Sequence, residues 1–161
     1  MKPVNQTILN SENGDCMRAC VASVLEWPLN SVPNFMEDGP DHFNDRLDEW
    51  AGKHGITILD VRIEDEAAFL RAFRNTYLIA FGQSPRFDCN HAVVYKGNKM
   101  VHDPHPSKEG IKDLQGVSLF VISDYRKYFF RQQEIQCKGC NYEDAWPGCP
   151  QGDACNLKKY N

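Results

Sequence analysis

The chain has 161 residues, 42% hydrophobic and 25% charged, the make-up of an ordinary globular domain long enough to bury one core of its own. Its formal net charge of -4 and pI near 5.7 leave no electrostatic footprint for a polyanion, so nucleic acid is excluded as an expected partner. The opening MKPVNQTILNSENGD has one Lys and no apolar stretch of signal-peptide or membrane-span length, which predicts a cytoplasmic protein with no membrane partner.

Cys16 to Leu25, CMRACVASVL, is apolar on nearly every side, interrupted only by Arg18 and Ser23, and Trp27-Pro28 closes it. This reads as a buried central helix. Gly14 and Asp15 precede it as the loosening residue and the N-cap acceptor, which puts Cys16 at a helix N-terminus. After a Pro-punctuated stretch to Pro40, DHFNDRLDEWAGKHG places Phe43, Leu47, Trp50 and Ala51 on one stripe of an amphipathic helix ending at Gly52 or Gly55. ITILDVRI then sets Thr57, Leu59, Val61 and Ile63 on one strand face, and EDEAAFLRAFRN repeats Phe69, Leu70 and Phe73 at helical spacing.

Four short apolar runs at 76–82, 91–95, 99–103 and 117–122 read as strands. Gly97-Asn98 is a two-residue hairpin signal that makes the second and third antiparallel neighbours. The expected class is α+β, with an N-terminal central helix packed on a mostly antiparallel sheet. Residues 125–136 are ambiguous between helix and strand, and apolar periodicity disappears from Cys137 onward. Two units are therefore expected, a domain over 1–124 and a small Cys-rich extension over 125–161.

A thiolate attacks a carbonyl only if its thiol gives up the proton readily, and the positive end of a helix dipole with a nearby imidazolium favours that. Cys16 has the first feature by position. The imidazole needs an acceptor on a rigid neighbour to fix its tautomer. With the turn at Gly97-Asn98, positions summing to about 195 face one another, so His91 falls opposite position 104 and Asp103 is one step away. A bulge would bring the carboxylate to the imidazole.

These segments, GDCMRACVASVL, NHAVVY and MVHDP, resemble the papain-like cysteine peptidase superfamily over residues 1 to about 123. The branch they resemble most is the bacteriocin-leader-processing (double-glycine) peptidases. The resemblance implies a papain-like α+β fold, with Cys16 as nucleophile, His91 as general base and acid, and Asp103 as the group orienting it. It also implies an upstream Gln whose amide joins the nucleophile's own N–H in an oxyanion hole, for which Gln6 is the candidate and Asn10 or Asn13 the alternatives. Met17 stands where the family usually has Gly. The expected activity is a thiol hydrolase that cleaves a peptide, isopeptide or other amide bond of a peptide or protein substrate, with no cofactor for catalysis. An acyltransferase using the same triad and a non-catalytic papain-like binding module are the alternatives.

Of the seven cysteines, Cys20 lies one turn inside the helix and reads as core, and Cys89 carries no assignment. His102 and His105 flank Asp103-Pro104 and read as rim or turn residues rather than metal ligands. Cys137, Cys140, Cys149 and Cys155 have the spacing C-x2-C-x8-C-x5-C, in a segment with no core of its own. Such a segment needs a metal or two disulfides, and a reducing cytoplasm favours a structural zinc on the four thiolates.

Overall fold

The computed structural model describes residues 1–62, 71 and 73–129. The helix expected over 64–75 falls largely, and the four-cysteine motif of Cys137, Cys140, Cys149 and Cys155 wholly, outside the described residues. The described part is α+β. Helix α1 spans Cys16–Leu25 and helix α2 spans Phe43–Lys53, with short 3-10 turns at Leu29–Ser31 and Pro40–His42. Strands β1 (Ile56–Arg62), β2 (Tyr77–Gln83), β3 (Asn90–Lys96), β4 (Lys99–His102) and β5 (Gly116–Ile122) follow. Residues 125–129 are helical, which settles the first part of the ambiguous stretch. Among the described residues, no helix is long and apolar enough to cross a membrane.

Among the described residues the strands form one five-stranded sheet in the order β1-β5-β2-β3-β4, antiparallel throughout. The last strand is thus inserted between the first and second. Helix α1 packs on β2 and β3, and α2 on β1, so both helices cover one face. That face carries the larger core, in which Cys20, Val21, Trp27, Phe35, Leu47 and Trp50 meet Ile56, Ile79, Ala92 and Val94. Trp27 packs edge-on against Trp50 with ring centroids 5.7 Å apart. The opposite face holds Leu78, Ala80, Val93 and Val117, with Val61, Phe73 and Leu119 against them. In β1 the buried side is Ile56 with Ile58 half-buried, so the stripe of Thr57, Leu59 and Val61 lies on the outer side.

Helix α1 ends because Glu26 turns left-handed at φ 59° and the Trp27 N–H bonds the Ala22 carbonyl at 2.9 Å. Its start differs from expectation. Asp15 occupies the N-cap position, yet among the described residues no side-chain hydrogen bond caps the helix. Its carboxylate is instead buried against the N-terminal segment, accepting from the Thr7 and Ile8 N–H groups and the Thr7 hydroxyl, each at 2.8 Å. The reason is competition: two backbone donors and a hydroxyl on a neighbouring segment offer more than one helix N–H, and Arg18 at 3.5 Å offsets the buried charge.

Candidate active site

Strand β3 and strand β4 meet at Gly97-Asn98, where Gly97 takes φ 58° as the first position of a II′ hairpin turn requires. Next to the turn the partners are Lys96↔Lys99 and Tyr95↔Met100, which sum to 195. One residue further the register shifts, and Val94 faces His102. Val101 is the extra residue of a β-bulge. Cross-strand partners share a face, so the shift moves Asp103 from the side of Ala92 to that of Val93 and His91. The carboxylate reaches its target: Asp103 Oδ1 lies 2.8 Å from His91 Nε2.

Asp103 is held from three sides. Oδ1 also accepts the His105 N–H and Oδ2 the Gly110 N–H, both at 2.8 Å, and the residue is 2% exposed. Gly110 sits at φ 73°, a backbone shape that favours glycine and aims its N–H inward. Burial alone would raise the Asp103 pKa, but the bonds from His91, Gly110 and His105 overcome it and lower it to about 2. The carboxylate is therefore ionised across the physiological range.

His91 is 5% exposed. Its burial favours the neutral ring, yet hydrogen bonds to Asp103 and to Cys16, with the charge of both partners, raise its pKa to about 9. Since Nε2 is taken by Asp103, Nδ1 is the nitrogen left for the Cys16 thiol. Cys16 is the first residue of α1, is a free thiol and is partly exposed. As first-turn residues, Cys16 and Met17 have no intrahelical acceptor for their N–H groups. With Asp15 turned to Thr7 and Ile8, that helix end points its positive pole at the thiol rather than at a capping carboxylate.

The Asp15 fastening also places Gln6. The Gln6 N–H bonds the Pro104 carbonyl at 3.1 Å, and its side-chain Nε2 donates to the Ile8 carbonyl at 2.8 Å. An amide nitrogen has two hydrogens, so one remains beyond that bond. Gln6 lines the same cleft as Cys16 and His91. Asn10 lines it too, but its oxygen accepts the Glu12 and Asn13 N–H groups in a local turn. Asn13 is not among the lining residues; its carbonyl accepts Asn34 Nδ2 at 2.9 Å.

The cleft has a volume of about 980 Å³. The other candidates are sorted by it. Cys20 is fully buried, and burial together with the nearby Cys16 and Asp103 charges pushes its thiol pKa well up. Cys89 lines the cleft, and partial burial and Cys16 push its pKa up too. His102 bonds the Val4 carbonyl at 2.8 Å and so anchors the N-terminal segment. His105 stands at the rim, its Nδ1 2.9 Å from Ser107 Oγ and its ring 6.3 Å from that of His91. Among the described residues no three His, Cys, Asp or Glu side chains are grouped to hold a metal.

Sequence reasoning passed over Arg86, Asp60 and Ser118, all of which line the cleft. Arg86 donates to Ser107 Oγ at 2.8 Å and reaches Glu109 at 3.3 Å, which ties the β2–β3 loop to the loop after Asp103. A Ser-Pro turn signal at Ser84 marked that loop, since the Ser84 hydroxyl accepts the Arg86 N–H at 3.2 Å. Compared with known protein families, with curated proteins and with solved structures, the chain matches none.

Proposed function

We propose that the protein is a papain-like thiol hydrolase that cleaves a peptide, isopeptide or other amide bond through an acyl-enzyme on Cys16. One observation carries this reading: a partly exposed thiol at a helix N-terminus neighbours a buried imidazole whose proton affinity it raises, and that imidazole lies 2.8 Å from a buried carboxylate, at the wall of a cleft. In the reaction, the Cys16 thiolate adds to the amide carbonyl and the developing oxyanion takes hydrogen bonds from the Cys16 N–H and the second Gln6 amide hydrogen. The His91 imidazolium gives its proton to the leaving amine as the C–N bond breaks. Neutral His91 then takes a proton from water, which attacks the thioester, releases the acid and regenerates the thiol. Asp103 keeps the ring oriented and stabilises its charged form without taking the proton.

The test compares the parent with Cys16→Ala on a broad peptide and amide library. Loss of all turnover in the variant, with an unchanged circular dichroism spectrum, is expected. Hydrolysis that survives the substitution refutes the reading. The Gln6 role has its own measure: Gln6→Ala should lower kcat by about tenfold to a thousandfold with little change in KM.

A further inference from the structure

The floor of the cleft is the helix-facing side of the sheet, and its composition is uneven. Cross-strand partners share a face, which puts Asp60, Ser118, Ile79 and Val94 in one row and Arg62, Gly116, Phe81 and Ala92 in the next. Ile79 and Val94 are completely buried and Ala92 nearly so, as such a row requires. Ser118, on the strand between β1 and β2, is 2% exposed and polar. Its hydroxyl donates to Asp60 Oδ1 at 2.6 Å. Asp60 is exposed and lines the same cleft as Cys16 and His91.

A charge on an edge strand can simply keep that edge from pairing with another chain. The buried hydroxyl argues for more than that. A hydroxyl placed in an apolar row costs stability unless it is used, and here it holds one carboxylate oxygen still, while among the described residues no other hydrogen bond draws on the Asp60 side chain. Phe43 and Leu47 of α2, Met17 of α1 and Phe81 of β2 supply apolar walls to the same space. Apolar walls and a braced carboxylate suit an aliphatic chain that ends in a cation.

We propose that Asp60, braced by Ser118, is a specificity-determining residue that binds the ammonium or guanidinium of a lysine or arginine side chain near the bond attacked by Cys16. The substrate class is then a peptide with a basic residue beside the scissile bond. This rests on the thiol-hydrolase reading and falls with it. Arg62, one row away, is the opposing possibility, because it would favour an acidic residue.

The experiment uses the full chain and peptidyl acyloxymethyl ketones that carry lysine, norleucine or glutamate in turn at each of the three residues nearest the electrophile. The readout is the second-order rate of Cys16 modification by intact-protein and peptide mass spectrometry. At one position lysine should react about tenfold faster than norleucine, the size expected of one partly screened ion pair. Asp60→Asn should abolish that preference, read as the ratio of the lysine to the norleucine rate, and Ser118→Ala should weaken it. Equal rates for lysine and norleucine at Cys16, a preference that survives Asp60→Asn, or a glutamate preference lost in Arg62→Gln overturns the proposal while leaving the hydrolase reading standing. Failure of every probe to modify Cys16 removes both.

Discussion

A thiol reacts according to how readily it ionises and how easily it is reached, and two of the three described free cysteines are handicapped by their surroundings. Cys20 is sealed in the core and its pKa is raised by burial, while that of Cys89 is raised by partial burial and by Cys16. Cys16 opens helix α1, is partly exposed and raises the proton affinity of His91. Limited iodoacetamide labelling near pH 6 should therefore modify Cys16 first, and peptide mapping that finds Cys20 or Cys89 ahead of it contradicts the assignment. The His91–Asp103 bond sets a second expectation. In the proposed mechanism a protonated His91 supplies the leaving amine, so kcat/KM should fall as pH rises through about 9. In Asp103→Asn, where a neutral amide replaces the carboxylate, that limb should move toward 6.5, the ordinary value, and turnover should drop by roughly a hundredfold to ten-thousandfold.

The same pair gives stability a pH dependence with a definite sign. His91 binds its proton more tightly when folded, so its contribution is complete below pH 6.5 and is lost as pH climbs through about 9. Asp103 holds its proton less tightly when folded, so its contribution is present above pH 3.8 and is lost as pH falls through about 2. Stability should peak between these ranges. Urea unfolding followed from pH 5 to 10 should show the alkaline decline in the parent and a much flatter profile in Asp103→Asn.

At the scale of elements, the β-bulge at Val101 decides which side of the hairpin Asp103 faces. Val101 is 40% exposed, so removing it sacrifices little packing while restoring the unshifted register. Deletion of Val101 should turn Asp103 to the opposite face and reduce turnover as far as Asp103→Ala does, with strand content by circular dichroism retained. Full activity in the deletion variant would show that the bulge is not what aims the carboxylate. Helix α1 depends on a different device, the Asp15 fastening of Thr7 and Ile8. Asp15→Ala strands two N–H donors and a hydroxyl and should cost about 3 kcal/mol of unfolding free energy by urea titration. Because those residues carry Gln6, kcat should fall as well.

At the largest scale, the organising fact among the described residues is that α1 and α2 lie on one sheet face and leave a cleft whose wall is α1 and whose floor is the sheet. The core beneath it is aromatic, and Trp27, 2% exposed against Trp50, is its centre. Trp27→Ala should destabilise the domain by about 3–5 kcal/mol, read as a lowered urea midpoint. The four cysteines beyond residue 136 lead, from their spacing, to about one zinc per chain by elemental analysis after chelator-free purification. Two disulfides in that segment by mass spectrometry, without metal, would overturn this expectation.

Local order was legible where the chain states it locally. An apolar ten-residue run sealed by Trp27-Pro28 fixed α1 and put Cys16 at its start; Gly97-Asn98 fixed the hairpin, and its arithmetic brought Asp103 within one residue of His91. The last residue of that register was not legible, because a bulge depends on how the strand is pulled by its surroundings. Nor was the insertion of β5 between β1 and β2, since alternation tells which residues share a face but not which strand lies beside them. Asp15 followed the same logic: as a residue type it suits a helix cap, and only the approach of Thr7 and Ile8 gave its carboxylate better donors. Asp60 and Ser118 are 58 positions apart and meet only because that inserted strand makes them partners. Local spacing was enough for the class of elements and for the place of Cys16 at the start of one of them; tertiary pairing chose which polar groups share the cleft with it, because long-range strand neighbours are set by the packing of the whole sheet.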